Sequence, residues 1–246
     1  MPVALTLRLR LSRPWRPDTK QVHGLASALF LKGSADHDAQ EKRFAIWPVA
    51  ADPDDPYVGL VLRCAWLRDA LPPSDIERTG RLRLGSVPCD LVSVDRQTAS
   101  YAELAAGRPQ DQATLTFWSP TYFSRNGGDV VLPDPRLIVG SHRRRWNHAQ
   151  DPGSVLLIDD DLWQRLHRAL RLSAFDLKTM EMDSGRGHPQ TGFVGTVTLR
   201  VEPGTPTDVR VTFRTLVRFA SYAGTGAQTT HGFGATTSDL DGAGRG

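Results

Sequence analysis

Alternating apolar and polar side chains open the chain. Val3, Leu5, Leu7, Leu9 and Leu11 are separated by Ala4, Thr6, Arg8 and Arg10, the period-two pattern of a half-buried strand. The period then lengthens. After Pro14 and Pro17, Asp18 stands where a helix N-cap belongs. Val22, Leu25, Ala26, Leu29 and Phe30 follow at helical spacing until Gly33 stops the pattern. Strands are predicted over 43–49 and 57–67 with a turn at 52–56 between them. A short helix near 74–78 and strands near 81–84 and 90–95 complete this half. From Leu104 to Gln112 the composition turns to Ala, Gly, Pro and Gln, as in a linker or a domain seam.

The second half repeats the order. A strand over 113–118 is followed by a helix from Pro135 through Trp146 and another opening at Asp159-Asp160-Asp161. Strands at 174–182 and 193–201, a helix at 207–223 and a last strand at 233–237 follow. Two strand–helix–strand–strand–helix–strand units in succession predict an α+β fold of two tandem ferredoxin-like (RRM-like) βαββαβ domains. The expected domains are 1–108 and 109–238, with 239–246 a disordered polar tail.

Composition narrows the function. Two cysteines, Cys64 and Cys89, are too few for a disulfide scaffold or a four-cysteine zinc site, and no His, Cys, Asp or Glu cluster has metal-ligand spacing. No cofactor and no metal are expected. The acidic run at 159–161 reads as helix capping. Apolar stretches such as 57–62 end far short of the ~20 residues a membrane span needs, and the N-terminus lacks a signal peptide's continuous apolar core. A cytoplasmic protein without membrane contact is expected. The formal net charge is only +3. Residues 1–135 carry 16 basic and 16 acidic side chains, so the whole excess lies in 136–246, where Arg143-Arg144-Arg145 forms a candidate phosphate-facing patch.

The strongest motif is the loop after the last predicted helix. Gly224, Gly226, Gly232 and Gly234 bracket Gln228, Thr229, Thr230 and His231. Glycine allows positive φ and close backbone approach, and successive N–H groups in such a loop can cradle phosphate oxygens. The loop lacks the Gly-Lys-Ser/Thr of a nucleotide-binding P-loop, and it follows a helix rather than a strand, unlike a dinucleotide-binding turn.

With this loop, the segments Phe117-Trp118-Ser119-Pro120-Thr121-Tyr122-Phe123, Pro133-Asp134-Pro135, Ser141 to Asn147 and Phe193-Val194-Gly195 occur in a family order. The chain resembles the CRISPR repeat-processing endoribonucleases of the RAMP superfamily. The resemblance implies a metal-independent nuclease that cuts the repeats of precursor CRISPR RNA to release guide RNAs. Attack by a 2′-hydroxyl would leave a 2′,3′-cyclic phosphate and a 5′-hydroxyl. CRISPR repeat RNA is the implied partner; other subunits of an effector complex and a second copy of the chain are further partners to test. The alternative is a non-catalytic superfamily member that binds guide RNA within such a complex.

The same resemblance points to catalytic residues. In the family the catalytic histidine follows the first helix, which selects His37, with Lys42 as the cation five residues on; His23, on that helix, is the second candidate. Gly224, Gly226, Gln228, Thr229, Thr230, His231, Gly232 and Gly234, with Arg143, Arg144 and Arg145, are the expected RNA contacts. This chain departs from many relatives in having Gln228 where they carry Lys, and no Tyr near Ser27.

Overall fold

The computed structural model describes residues 1–31, 43–68, 76, 82–185 and 188–240. The opening alternation becomes β1 (Val3–Leu11), whose odd-numbered side chains are buried while its even-numbered ones are half-buried or exposed. Helix α1 (Thr19–Phe30) starts at Asp18, which accepts from the Gln21 backbone N–H while the Gln21 side chain accepts from the Asp18 N–H. Such a capping box satisfies two N–H groups that a helix start otherwise leaves unbonded. Its buried face is the apolar series read from the sequence: Val22, Leu25, Ala26, Leu29 and Phe30.

Strands β2 (Phe44–Ile46), β3 (Ala50–Asp52), β4 (Asp55–Trp66), β5 (Leu82–Leu84) and β6 (Val87–Thr98) complete the first half. They form an antiparallel sheet in the order β2-β4-β1-β6-β5, with β3 also paired to β4. The inner run β2-β4-β1-β6 is the ferredoxin-like order. The short helix expected at 74–78 lies outside the described residues except for Ile76, which is buried in this core.

The stretch expected to be a linker begins differently. Ser100 and Glu103 form a second capping box, so 101–105 coil into α2 (Tyr101–Ala105). Tyr101 and Leu104 pack into the second core, and Arg214 and Arg218 donate to carbonyls of residues 103–106. The small residues suited a linker or a domain seam, and two buried side chains dock the start of the segment on the second core.

The second half runs β7 (Gln112–Thr121), a β8 (Phe123–Arg125) and β9 (Gly128–Val130) hairpin, α3 (Pro135–Ala149), α4 (Asp160–Ala169), β10 (Leu170–Asp183), β11 (Pro189–Val201), α5 (Thr207–Ala223) and β12 (Thr236–Asp239). Its sheet order is β10-β11-β7-β12, again ferredoxin-like. Asp159 caps α4 through the Leu162 N–H, the role read for the acidic run. The last strand sits later than the expected 233–237, because Phe233 to Ala235 still belong to loop anchoring. Asp239, the first residue of the expected disordered tail, therefore ends a strand, and Leu240 packs on the core; 241–246 lie outside the described residues. Among the described residues no helix is long and apolar enough to cross a membrane.

Candidate functional site

The glycine loop is stitched to the segments that carry the family resemblance. Ala227 N–H donates to the Tyr122 carbonyl, Gly234 N–H to the Pro120 carbonyl, Ala235 N–H to Ser119 Oγ and Gly226 N–H to Ser141 Oγ. Gly224, Gly226 and Gly234 have φ of 68°, 79° and 66°. A Cβ at Gly226 would overlap the Tyr122 carbonyl, and one at Gly234 the Thr225 carbonyl. Sequence-distant motif residues are thus neighbours, and the glycines exist for close backbone packing.

This corrects the expected phosphate cradle. The N–H groups of residues 224 to 227 and of 231, 233, 234 and 235 are already bonded within the protein. Gly224, Gly226, Gly232 and Gly234 are themselves buried, as is Thr229. The accessible part of the loop is Ala227, Gln228, Thr230 and His231. Gln228 holds φ at 52°, and its side-chain Oε1 is buried without a partner.

Helix α1 of the first half meets this loop. His23 Nδ1 donates to the Thr230 carbonyl at 2.7 Å; because a carbonyl only accepts, Nδ1 carries the proton. His23 Nε2 lies 3.3 Å from Ser27 Oγ, one helical turn on. The His23 and His231 rings stack at 3.9 Å with 5° between their planes, and His231 Nδ1 is 3.2 Å from Thr230 Oγ1. Phe44, at the start of β2, lies 5.8 Å from His23 and 5.5 Å from Phe30. His37 and Lys42 lie outside the described residues. They fall between Leu31, the residue after α1, and Arg43, the residue before β2.

The arginine run divides. Arg145 crosses the seam, donating to Thr229 Oγ1 and to the Phe44 carbonyl at 3.0 Å. Arg143 pairs with Asp160 at 2.6 Å, donates to the Ile158 carbonyl and lies over Trp163. Arg144 is exposed. The run is therefore not one phosphate-facing patch, since successive helical residues point about 100° apart. Arg143 and Arg144 do line a cavity of about 660 Å³ with Arg125, Arg136, Gly226 and Ala227, where basic side chains reach the glycine loop. Arg125 and Arg136 are isolated basic residues in the sequence and carried no signal there. A second cavity of about 570 Å³ opens beside His231 and Gly232, walled by Trp15, Trp47 and Tyr57. Among the described residues no group of three or more His, Cys, Asp or Glu side chains could hold a metal ion.

His142 supports the loop from below. It is fully buried on α3, with Nε2 2.8 Å from Thr225 Oγ1, which Thr236 Oγ1 approaches at 2.9 Å. Burial, with the Arg145 charge nearby, pushes its pKa down from 6.5 to about 3. The unfolded chain takes up this proton near pH 6.5, the folded chain only near 3. Its contribution to stability is complete above pH 6.5 and is lost as pH falls towards 3, by up to about 1.4 kcal/mol per pH unit. Urea unfolding at pH 7.5 and pH 5 checks this. Wild type is expected to lose on the order of 2 kcal/mol more than His142→Gln between the two; equal losses would contradict it.

The family model for the CRISPR-associated endoribonuclease Cas6 matches residues 115–236, the span holding the glycine loop and everything it is bonded to in the second half. A Cas6 product complex is 27% identical and superposes with a TM-score of 0.82 over 97% of this chain and 100% of that one. The chain belongs to the Cas6 family. Thermus thermophilus Cas6 is 26% identical, with a TM-score of 0.75 over 97% of this chain and 98% of its own. A further Cas6 product complex, 24% identical with a TM-score of 0.78 over 96% and 99% of the two chains, has the same fold. Comparison with curated proteins finds no match. The tandem ferredoxin-like architecture is thus that of Cas6 enzymes, and the chain is an endoribonuclease that cleaves repeat RNA in the precursor CRISPR transcript.

Proposed function

We propose that this Cas6 enzyme cleaves the repeat by metal-independent transesterification at the seam between α1 and the glycine loop. A base takes the proton of the 2′-hydroxyl upstream of the scissile phosphate. The O2′–P bond forms as the P–O5′ bond breaks, and an acid protonates the departing O5′. The products are a 2′,3′-cyclic phosphate and a 5′-hydroxyl. His37 is the proposed proton-transfer residue and Lys42 the cation that would stabilise the phosphorane, with His23 the second candidate for proton transfer. Histidine suits both proton transfers because its ordinary pKa lies near neutrality.

The observation that carries this reading is the parallel stack of His23 and His231, held by the Thr230 carbonyl and opening onto a cavity of about 570 Å³. It joins a first-half helix to a second-half loop, and Phe44, two residues after Lys42 in the sequence, packs beside the His23 ring. The basic cavity that reaches Gly226 and Ala227 supplies charge complementary to a phosphate backbone. A reducing cytoplasm, where such transcripts are made, suits the two buried free thiols of Cys64 and Cys89. The testing experiment is cleavage of the repeat RNA encoded by the CRISPR array of the same genome, in excess EDTA. Turnover is expected; turnover that needs added metal would contradict the mechanism.

A further inference from the structure

A cavity of about 420 Å³ shares Trp47, Pro48, Ala50 and Ala51 with the cavity beside His231. Its lining includes Trp47, which follows β2, Val61 and Arg63 on β4, Trp118 on β7 and Thr237 on β12, so it spans both sheets. Trp118 is 60% exposed. An indole left in water forgoes one of the largest available burial gains, so a tryptophan this open invites a partner. Its orientation is fixed, because its Nε1–H donates to Thr237 Oγ1 at 2.9 Å. Arg63 lies 5.6 Å from the centre of the Trp47 ring, at cation–π distance. Among the described residues no carboxylate lines the cavity. The nearby Asp52 and Asp54 are both held by Arg8, at 2.8 and 2.7 Å.

We propose that Trp118 and Trp47, with Arg63, form a stacking site for one unpaired nucleobase of the RNA strand that flanks the cut. The proposal rests on the reading of the His23–His231 seam as the place of cleavage, and the shared Trp47–Ala51 wall makes the two sites neighbours. A nucleotide fits the chemistry of the lining: a planar base for the indoles, and its phosphate for the guanidinium. Every base has such a face, so the site tolerates sequence while fixing where the strand runs. The fold alone does not require an exposed tryptophan at position 118, since the neighbouring outward positions 114 and 116 of β7 are threonines.

The test measures binding of the cognate repeat RNA to the full chain by filter retention, across a salt series, for wild type, Trp118→Ala, Trp118→Phe and Arg63→Ala. Trp118→Ala is expected to bind about 5- to 150-fold more weakly, the range for loss of one base–aromatic stack. Trp118→Phe is expected to recover most of that, and the salt slope of both should match wild type. Arg63→Ala is expected to lower the slope by about 0.7, the value for one phosphate contact on a single strand. Wild type bound to repeat RNA carrying 4-thiouridine should cross-link at Trp118 or Trp47, a readout independent of how any variant folds. Binding by Trp118→Ala within twofold of wild type, or cross-links confined to other segments, overturns the stacking site. If wild type still cleaves in that case, the seam reading stands without it; if wild type neither binds nor cleaves, both fall.

Discussion

Replacing His37 by alanine is expected to slow single-turnover cleavage of repeat RNA by two to four decades, about what a lost general acid or base costs. Binding of the uncut RNA should change little, because the imidazole acts on moving protons rather than on holding the strand. The comparison is His23→Ala. This change removes the donor to the Thr230 carbonyl and one ring of the stack with His231, so it loosens the glycine loop as well. A loss confined to the rate constant with His37→Ala, against a mixed loss of rate and affinity with His23→Ala, is the expected outcome. If His37→Ala cleaves at the wild-type rate while His23→Ala is inactive, the proton-transfer role passes to α1.

The second large effect is structural. Gly234→Ala places a Cβ into the Thr225 carbonyl at a φ of 66°, in the buried part of the loop. The left-handed backbone alone costs about 1–2 kcal/mol, and the overlap adds about 1–3 kcal/mol more. Because Thr230 in this loop holds His23, cleavage should fall along with stability. Gly204→Ala separates the two contributions. Its φ is 77°, but nothing lies near the added Cβ, so a loss of only about 1 kcal/mol and full activity are expected. Urea unfolding and single-turnover rates on both variants check this. Equal stability losses would mean that the overlap with Thr225 does not matter.

Periodicity made most of the fold legible. The alternation of β1, the apolar series of α1 and the span of α5 appear in the structure as the pattern implies, because each face is set by burial of residues close in sequence. Short polar signals were less reliable. The run of small residues after Leu104 suited a linker or a domain seam without showing that two capping side chains and the buried Tyr101 fold its start into α2. For the site, the glycine loop was visible but not its purpose. Glycines signal close approach without saying to what, and here the close neighbour is the protein's own backbone at Tyr122 and Thr225. The stack of His23 on His231, the path of Arg145 to Phe44 and the gathering of Arg125 and Arg136 beside Arg144 all join residues far apart in sequence. No local pattern encodes such pairs.

In the proposed mechanism the RNA's own 2′-hydroxyl is the nucleophile. The most direct measurement compares two repeat RNAs in excess EDTA, one unmodified and one with a single 2′-deoxyribose just upstream of the scissile phosphate, with the product ends identified by mass spectrometry. The unmodified RNA should be cut to a 2′,3′-cyclic phosphate and a 5′-hydroxyl, and the deoxy substrate should stay intact. Cleavage of the deoxy substrate, or a 5′-phosphate on the downstream product, would contradict the mechanism.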